Sequence, residues 1–426
     1  MDAKQVAAAV RARRALAEDI FDTLRAATFD GVGITRASYG HGEQFAHELL
    51  RRRAGELGLE IATDAAGNSY MTLPGRDRSA KRTVIGSHLD SVAQGGNFDG
   101  AAGVIAGLTA LAALADLGWR PAGDVSVMGI RAEESAWFGV SYIGSRSALG
   151  TLPAGALDEA RRADTGRTLA EHMAECGGDP DGLREAPPYL EAQRLAAYLE
   201  LHIEQGPVLE EMRLPVGIVT GIRGNLRVPA ARCIGEYSHC GGVPRSHRRD
   251  AAIAVADLVT GLDRIWDACE ADGRDFAFTV GKMSTDAARH AMTIIAGQVD
   301  FSVDMRSLDV GLLDEMEARI QDMALEIAAR RRVRFDLGRF TRAAPGILDD
   351  GIKARLRAGA TAMDIAAMDI PSGASHDAAA FAAAGVPTAM IFVRNANGSH
   401  NPDEAMEIDD FMHGVELLAW YLADGK

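Results

Sequence analysis

Apolar positions along the chain fall into two rhythms. Four short, nearly continuous apolar runs read as buried strands: "RTVIGSH", "DVSVMGIRAEE", "AYLELHIEQG" and "PTAMIFVRNANGSHN". Between and around them the spacing turns helical. "MDAKQVAAAVRARRALAEDIFDTLRAAT" predicts an amphipathic helix, and "GVIAGLTALAALADLG" one packed closely through small residues. "DDFMHGVELLAWYLAD" predicts an amphipathic closing helix. Strands alternating with helices favour an α/β domain with helices on both sheet faces.

The middle of the chain changes rhythm. "PVGIVTGIRGNLRVPAARCIGEY" predicts two strands joined around Gly224 and Asn225, and "RRDAAIAVADLVTGLDRIWDACEAD" a helix. "DFAFTVGKM" and "GQVDFSVDMRS" alternate like half-exposed antiparallel strands. A second helix, "LLDEMEARIQDMALEIAARRR", and a strand, "VRFDLGRF", follow. Lacking βαβ alternation, this stretch predicts a separate α+β domain over 213–331. It is inserted into a discontinuous first domain of 1–212 and 332–426. The segment from Thr151 to Ala192, rich in Ala, Gly, Asp and Pro, predicts surface helix and loops.

Composition narrows the function classes. The 426 residues are 47% apolar and 25% charged, enough for a large core. A formal charge of −15 argues against a nucleic-acid or anionic-membrane surface, which needs a basic footprint. No run of 18 apolar residues predicts a membrane helix, and charges interrupt the N-terminus where a signal peptide needs an apolar stretch. Four cysteines without a C-x-x-C pair read as reduced thiols of a cytoplasmic protein.

The candidate chemistry sits at the ends of the four strands. His88 and Asp90 end the first, Glu133 and Glu134 the second, His202 and Glu204 the third, and His400 follows the fourth. Asp99 lies in the tight "GGNFDG" turn. Taken singly, each has a structural explanation: a satisfied core histidine, a charged surface pair, a turn residue. Taken together, four strand ends carrying such residues converge where open α/β sheets bind ligands. Imidazoles mixed with carboxylates suit Zn²⁺, Mn²⁺, Co²⁺ or Ni²⁺ better than a nucleophile triad. Asp90, two residues after His88 on the same strand face, is placed to accept from a ligating imidazole. His41, His172, His247 and His290 have no such context.

These stretches, with "AEES.WFG", "LELHIEQGPVLE", "DMRS", "SGASHDAAAF" and "NGSHNPDEAM", resemble the hydantoinase/carbamoylase amidase branch of the M20 peptidase family. The resemblance runs from about Gly40 to the C-terminus. It implies a metallopeptidase-like catalytic domain with an inserted lid and dimerisation domain, and a homodimer acting on a small molecule. It implies two divalent metal ions: His88 and His202 on one, Glu134 and His400 on the other, Asp99 bridging. Glu133 would be the general base, moving a proton from the attacking water to the leaving nitrogen. Gln205 would contact a ureido group, Arg306 clamp the substrate carboxylate, and His239 stabilise the oxyanion.

Three departures bear on the substrate. Thr293 stands where the family usually has Asn, Arg245 where it has Met, and "VRN" (Val393 to Asn395) where many members have "PS". The activity implied is hydrolysis of a linear amide or ureido C–N bond in a small carboxylate substrate, such as an N-carbamoyl-L-amino acid or allantoate. An M20-type dipeptidase or N-acyl-amino acid deacylase is the alternative. A metal-binding scaffold without catalysis is disfavoured, because Glu133 is present.

Overall fold

The computed structural model describes residues 1–424. The chain divides into two compact units, Met1–Thr220 with Ile347–Lys426, and Gly221–Gly346. The sequence places the insert at 213–331; the observed unit begins later and ends later. The strand Val216–Ile222 starts in the first unit's sheet, where it pairs antiparallel with Thr388–Val393. At the other end, Arg334–Asp336 and Thr341–Ala343 both pair with Gly224–Ile234 and so belong to the insert.

In the first unit, the four apolar runs lie side by side as parallel strands. Their order is Val125–Ile130, Arg82–His88, Leu195–Ile203, Thr388–Val393. Antiparallel strands extend both edges, including Ser69–Leu73 beside Val125–Ile130. Parallel pairing explains why these runs are apolar on both faces. Ile85, Val127, Leu199 and Ile391 join the main core, packed with helices Ala3–Ala12, Arg14–Thr28, Ala101–Asp116 and Ile408–Asp424. Residues one step along point to the other face, where Tyr198 stacks on Phe381 at 3.7 Å.

Helix Ala101–Asp116 is buried from Ala101 to Leu114, as its all-round apolar sequence requires. The N-terminal amphipathic stretch is two helices, broken at Arg13. The segment from Thr151 to Ala192 is less superficial than its composition implies. Leu157, Leu169 and Met173 form a satellite core with Tyr39, Phe138 and Ile143.

The second unit is an antiparallel sheet in the order Arg334–Asp336, Gly224–Ile234, Gln298–Ser307, Ala277–Thr285. Gln298–Ser307 alternates strictly, burying Val299, Phe301, Val303 and Met305. Helices Ala251–Ala271 and Val310–Arg331 share that core through Val255, Leu258, Met316 and Ile320. The two strands predicted around Gly224 separate at Arg223 into different sheets instead of forming one hairpin. Among the described residues, no helix is long and apolar enough to cross a membrane.

Candidate metal centre

The carboxyl ends of the parallel strands assemble one cluster in the first unit. Asp99 is its centre. Its Oδ1 lies 3.4 Å from His88 Nε2 and 3.2 Å from His202 Nε2. Its Oδ2 lies 3.3 Å from His400 Nε2, which is also 3.3 Å from Glu134 Oε1. The donor atoms of His88, Asp99 and His202 lie within 4.8 Å of one another, as do those of Asp99, Glu134 and His400. A further set within that distance is His88, Glu133 and Glu134.

Hydrogen bonding fixes which ring nitrogens are free. His88 Nδ1 faces the Asp90 carbonyl at 3.1 Å, and His202 Nδ1 the Ile203 carbonyl at 2.9 Å. A carbonyl only accepts, so each Nδ1 carries a proton and donates it. In the neutral rings, each Nε2 then turns a lone pair toward Asp99 Oδ1. At His88 two acceptors thus face one another, and only a proton or a metal cation satisfies both; His202 Nε2 also receives the Gly100 amide at 3.3 Å. Asp99 Oδ1 and Glu134 Oε1 are buried and have no hydrogen-bond partner. Buried polar atoms are otherwise nearly always paired. The residues present therefore fit metal ions.

The electrostatics agree. Burial works against charge on His88, yet hydrogen bonding to Asp90 and Asp99 raises its pKa well above the usual value. The facing carboxylates of Asp99 and Glu134 raise His400 to about 10. Burial opposes ionisation of Asp99, but the imidazoles of His202, His400 and His88 around it hold its carboxyl well below its ordinary range. The surroundings of Asp99 thus favour a positive charge, be it a proton or a metal cation. Burial pushes the Glu133 carboxyl well above its ordinary range; His88 pulls it down, and Glu134, Asp377 and Asp90 push it up.

The glycine-rich turn has a steric reason. Gly100 has φ +67°, and a Cβ there would lie 2.5 Å from the His88 ring. A Cβ on Gly96 would lie 2.1 Å from the Glu404 carboxyl. Glu404 in turn accepts from the Phe98 and Asp99 amides at 2.9 and 3.2 Å and from Ser399 Oγ at 2.6 Å. It pins the turn that presents Asp99. "NPDEAM" contains Glu404, but nothing in the string separates it from the acidic residues beside it.

Asp90 does more than orient His88, whose Nδ1 lies 3.3 Å from its carboxylate. Its two oxygens also accept the Glu133 and Glu134 amides, each at 3.1 Å. The preceding amide, Ala132, donates to Glu43 Oε1 at 2.8 Å. Three consecutive amides are thus held by two buried carboxylates, and Ala132 takes a left-handed φ of 52° in doing so. Glu43 also pairs with Arg131 at 2.9 Å, both fully buried. Glu43→Ala leaves the Arg131 guanidinium buried and unpaired, a loss of about 3–5 kcal/mol. Urea denaturation checks it; an unchanged midpoint refutes the clamp.

Other expected residues fall variously. Gln205, at φ 62°, donates Nε2 to Asp99 Oδ2 at 2.9 Å, and its Oε1 is buried without a partner. Glu204 points away from the cluster, accepting the Val208 and Leu209 amides at 2.8 and 2.7 Å. His376, unassigned by sequence, is buried with its ring 4.5 Å from that of His202. His239, Thr293 and Arg306 belong to the second unit. There the Cys240 amide donates to the Thr293 carbonyl at 3.0 Å, and Arg306 pairs with Asp304 at 2.9 Å. His239 Nδ1 accepts from the Gly241 and Gly242 amides at 3.1 and 3.0 Å, which leaves the proton on Nε2.

Residues 84–424 match the profile of peptidase family M20/M25/M40. The chain is 37% identical over 399 residues to the N-carbamoyl-L-amino acid amidohydrolase of Geobacillus stearothermophilus, covering 92% of this chain and 94% of the relative. It is 30% identical over 393 residues to the allantoate amidohydrolase of Escherichia coli K12, covering 92% of each. A hydantoinase/carbamoylase family amidase from Burkholderia ambifaria superposes with a TM-score of 0.86 at 29% identity, covering 97% of both chains. This chain belongs to peptidase family M20/M25/M40, within its hydantoinase/carbamoylase branch.

Proposed function

We propose that the protein is a two-metal amidohydrolase that cleaves the C–N bond of a linear ureido acid, with N-carbamoyl-L-amino acids as the first class and allantoate the second. One observation carries the reading: the two oxygens of Asp99 face two separate donor sets, His88 with His202 and Glu134 with His400. The mixed nitrogen and oxygen donors suit Zn²⁺, Mn²⁺, Co²⁺ or Ni²⁺. When bound, such ions polarise the scissile carbonyl and neutralise charge developing on its oxygen.

The chain's own residues do the rest. Glu133 takes a proton from the attacking water and delivers it to the leaving nitrogen. The amides clamped by Asp90 and Glu43 keep the base in place. Gln205 Oε1, buried and unpartnered, accepts from a ureido N–H. In the second unit, the unit we assign as lid and dimerisation surface of a homodimer, His239 donates its Nε2 proton to the oxyanion. Arg306 meets the substrate carboxylate with its planar fork, and Thr293 adds a hydrogen bond. Water adds to the carbamoyl carbon, the bond to the amino acid nitrogen breaks, and the carbamate released falls to ammonia and CO₂.

A substrate panel tests the bond type. It holds N-carbamoyl-L-amino acids, N-carbamoyl-β-alanine, allantoate, an N-acyl amino acid and a dipeptide. Ammonia from the ureido acids supports the proposal. Turnover confined to the acyl or peptide substrates, scored by free amine, replaces it with deacylase or dipeptidase chemistry.

A further inference from the structure

The second unit contains an open cavity of about 1310 Å³, flanked by residues 241–250 and the end of helix Val310–Arg331. Arg245, Arg248, Arg330, Arg331 and Arg332 line it. The chain as a whole has 45 basic and 60 acidic side chains, so this is a local reversal of sign. Carboxylates offset only part of it. Asp257 pairs with Arg330 at 3.0 Å and with Arg331 at 2.7 Å. Asp250 lines the cavity too, but its Oδ1 caps helix Ala251–Ala271 through the Ala252 and Ile253 amides at 3.1 and 3.2 Å. Five arginines against these two carboxylates leave a surplus of three positive charges.

Of the other three, Arg248 and Arg332 are held by neutral groups, not acids, and Arg245 is exposed. Arg248 donates Nε to the Val243 carbonyl at 2.9 Å and Nη2 to that of Cys240. Arg332, at φ 58°, donates to the carbonyls of Ser246 and, at 3.3 Å, Arg248. The ion pairs of this region use Arg249, Arg330 and Arg331. Among the described residues, none uses Arg245, Arg248 or Arg332. Carbonyl anchoring fixes a guanidinium without cancelling its charge, which leaves donors and field for an anion. Like charges around one cavity repel, and a bound anion relieves that repulsion.

We propose that this cavity binds a compact multivalent anion, a small molecule bearing either phosphates or several carboxylates. A long polyanion is disfavoured by the net charge of −15. Gly241 and Gly242 form part of the wall, and their amides hold His239 Nδ1. An anion here contacts the loop that sets the His239 proton.

Titration calorimetry on the full-length, metal-loaded protein tests this with two weakly chelating probes, fructose 1,6-bisphosphate and propane-1,2,3-tricarboxylate. The expected result is saturable binding of at least one probe, at one site per chain, weakening as salt rises. The responding probe distinguishes the phosphate from the carboxylate source. Arg245→Gln/Arg332→Gln weakens binding by about tenfold or more, whereas Asp99→Asn leaves it intact. If the double variant does not fold, the single change at exposed Arg245 gives the same direction. No saturable binding of either probe overturns the proposal. So does binding that survives the arginine changes and is lost in Asp99→Asn, since the anion then sits at the metal centre.

Discussion

Glu133→Gln lowers kcat by about 10²–10⁴-fold and leaves bound metal unchanged. Glutamine keeps the length and shape of the side chain but cannot take up and return a proton. The Glu133 amide stays on Asp90 Oδ1, so the local backbone is undisturbed. Glu133 lies beside His88 and Glu134 without being needed for either donor set around Asp99. Turnover and metal content measured on the same preparation separate the roles. Activity that survives removes Glu133 as the base. Metal loss alongside activity makes it a ligand.

Asp99→Asn has the other large effect, through metal content. The amide replaces one of two oxygens that face separate donor sets with an N–H donor. An N–H directed at His88 and His202, or at His400, cannot bind a cation and adds no charge to hold one. Changes to outer partners of metal ligands already cost about 10–100-fold in affinity, so removal of a shared ligand costs at least that. Elemental analysis after dialysis shows the drop, and activity falls with it. Retention of both ions by this variant contradicts the bridging role.

The sequence made part of this site legible for a physical reason. A strand buried on both faces is a nearly continuous apolar run, so the polar residues at or just past its end stand out, as with His88, Glu133 and His202. The structure brings these three together with Asp99, Glu134 and His400. Strand ends do not reveal direction, however. Glu204 directly follows the strand that His202 nearly ends, yet the turn at Gln205 sends it to the first amides of helix Val208–Met212. Glu43 and Arg131 were hidden more deeply. Glu43 sits in a charged helix, "HGEQFAHELLRRRAGE", where a glutamate ordinarily faces water. Only the tertiary fold sets it against Arg131 and the Ala132 amide. The insert's limits escaped for a related reason: pairing partners, not local pattern, decide to which sheet Val216–Ile222 and Arg334–Asp336 belong.

Metal titration of the stripped protein tests the central claim most directly. Ammonia release from an N-carbamoyl-L-amino acid is followed as Mn²⁺, Co²⁺ or Zn²⁺ is added in equivalents of chain. The account predicts no turnover without metal and a rise that levels at two ions per chain. Full activity of the metal-free protein, or a plateau at one ion, contradicts it.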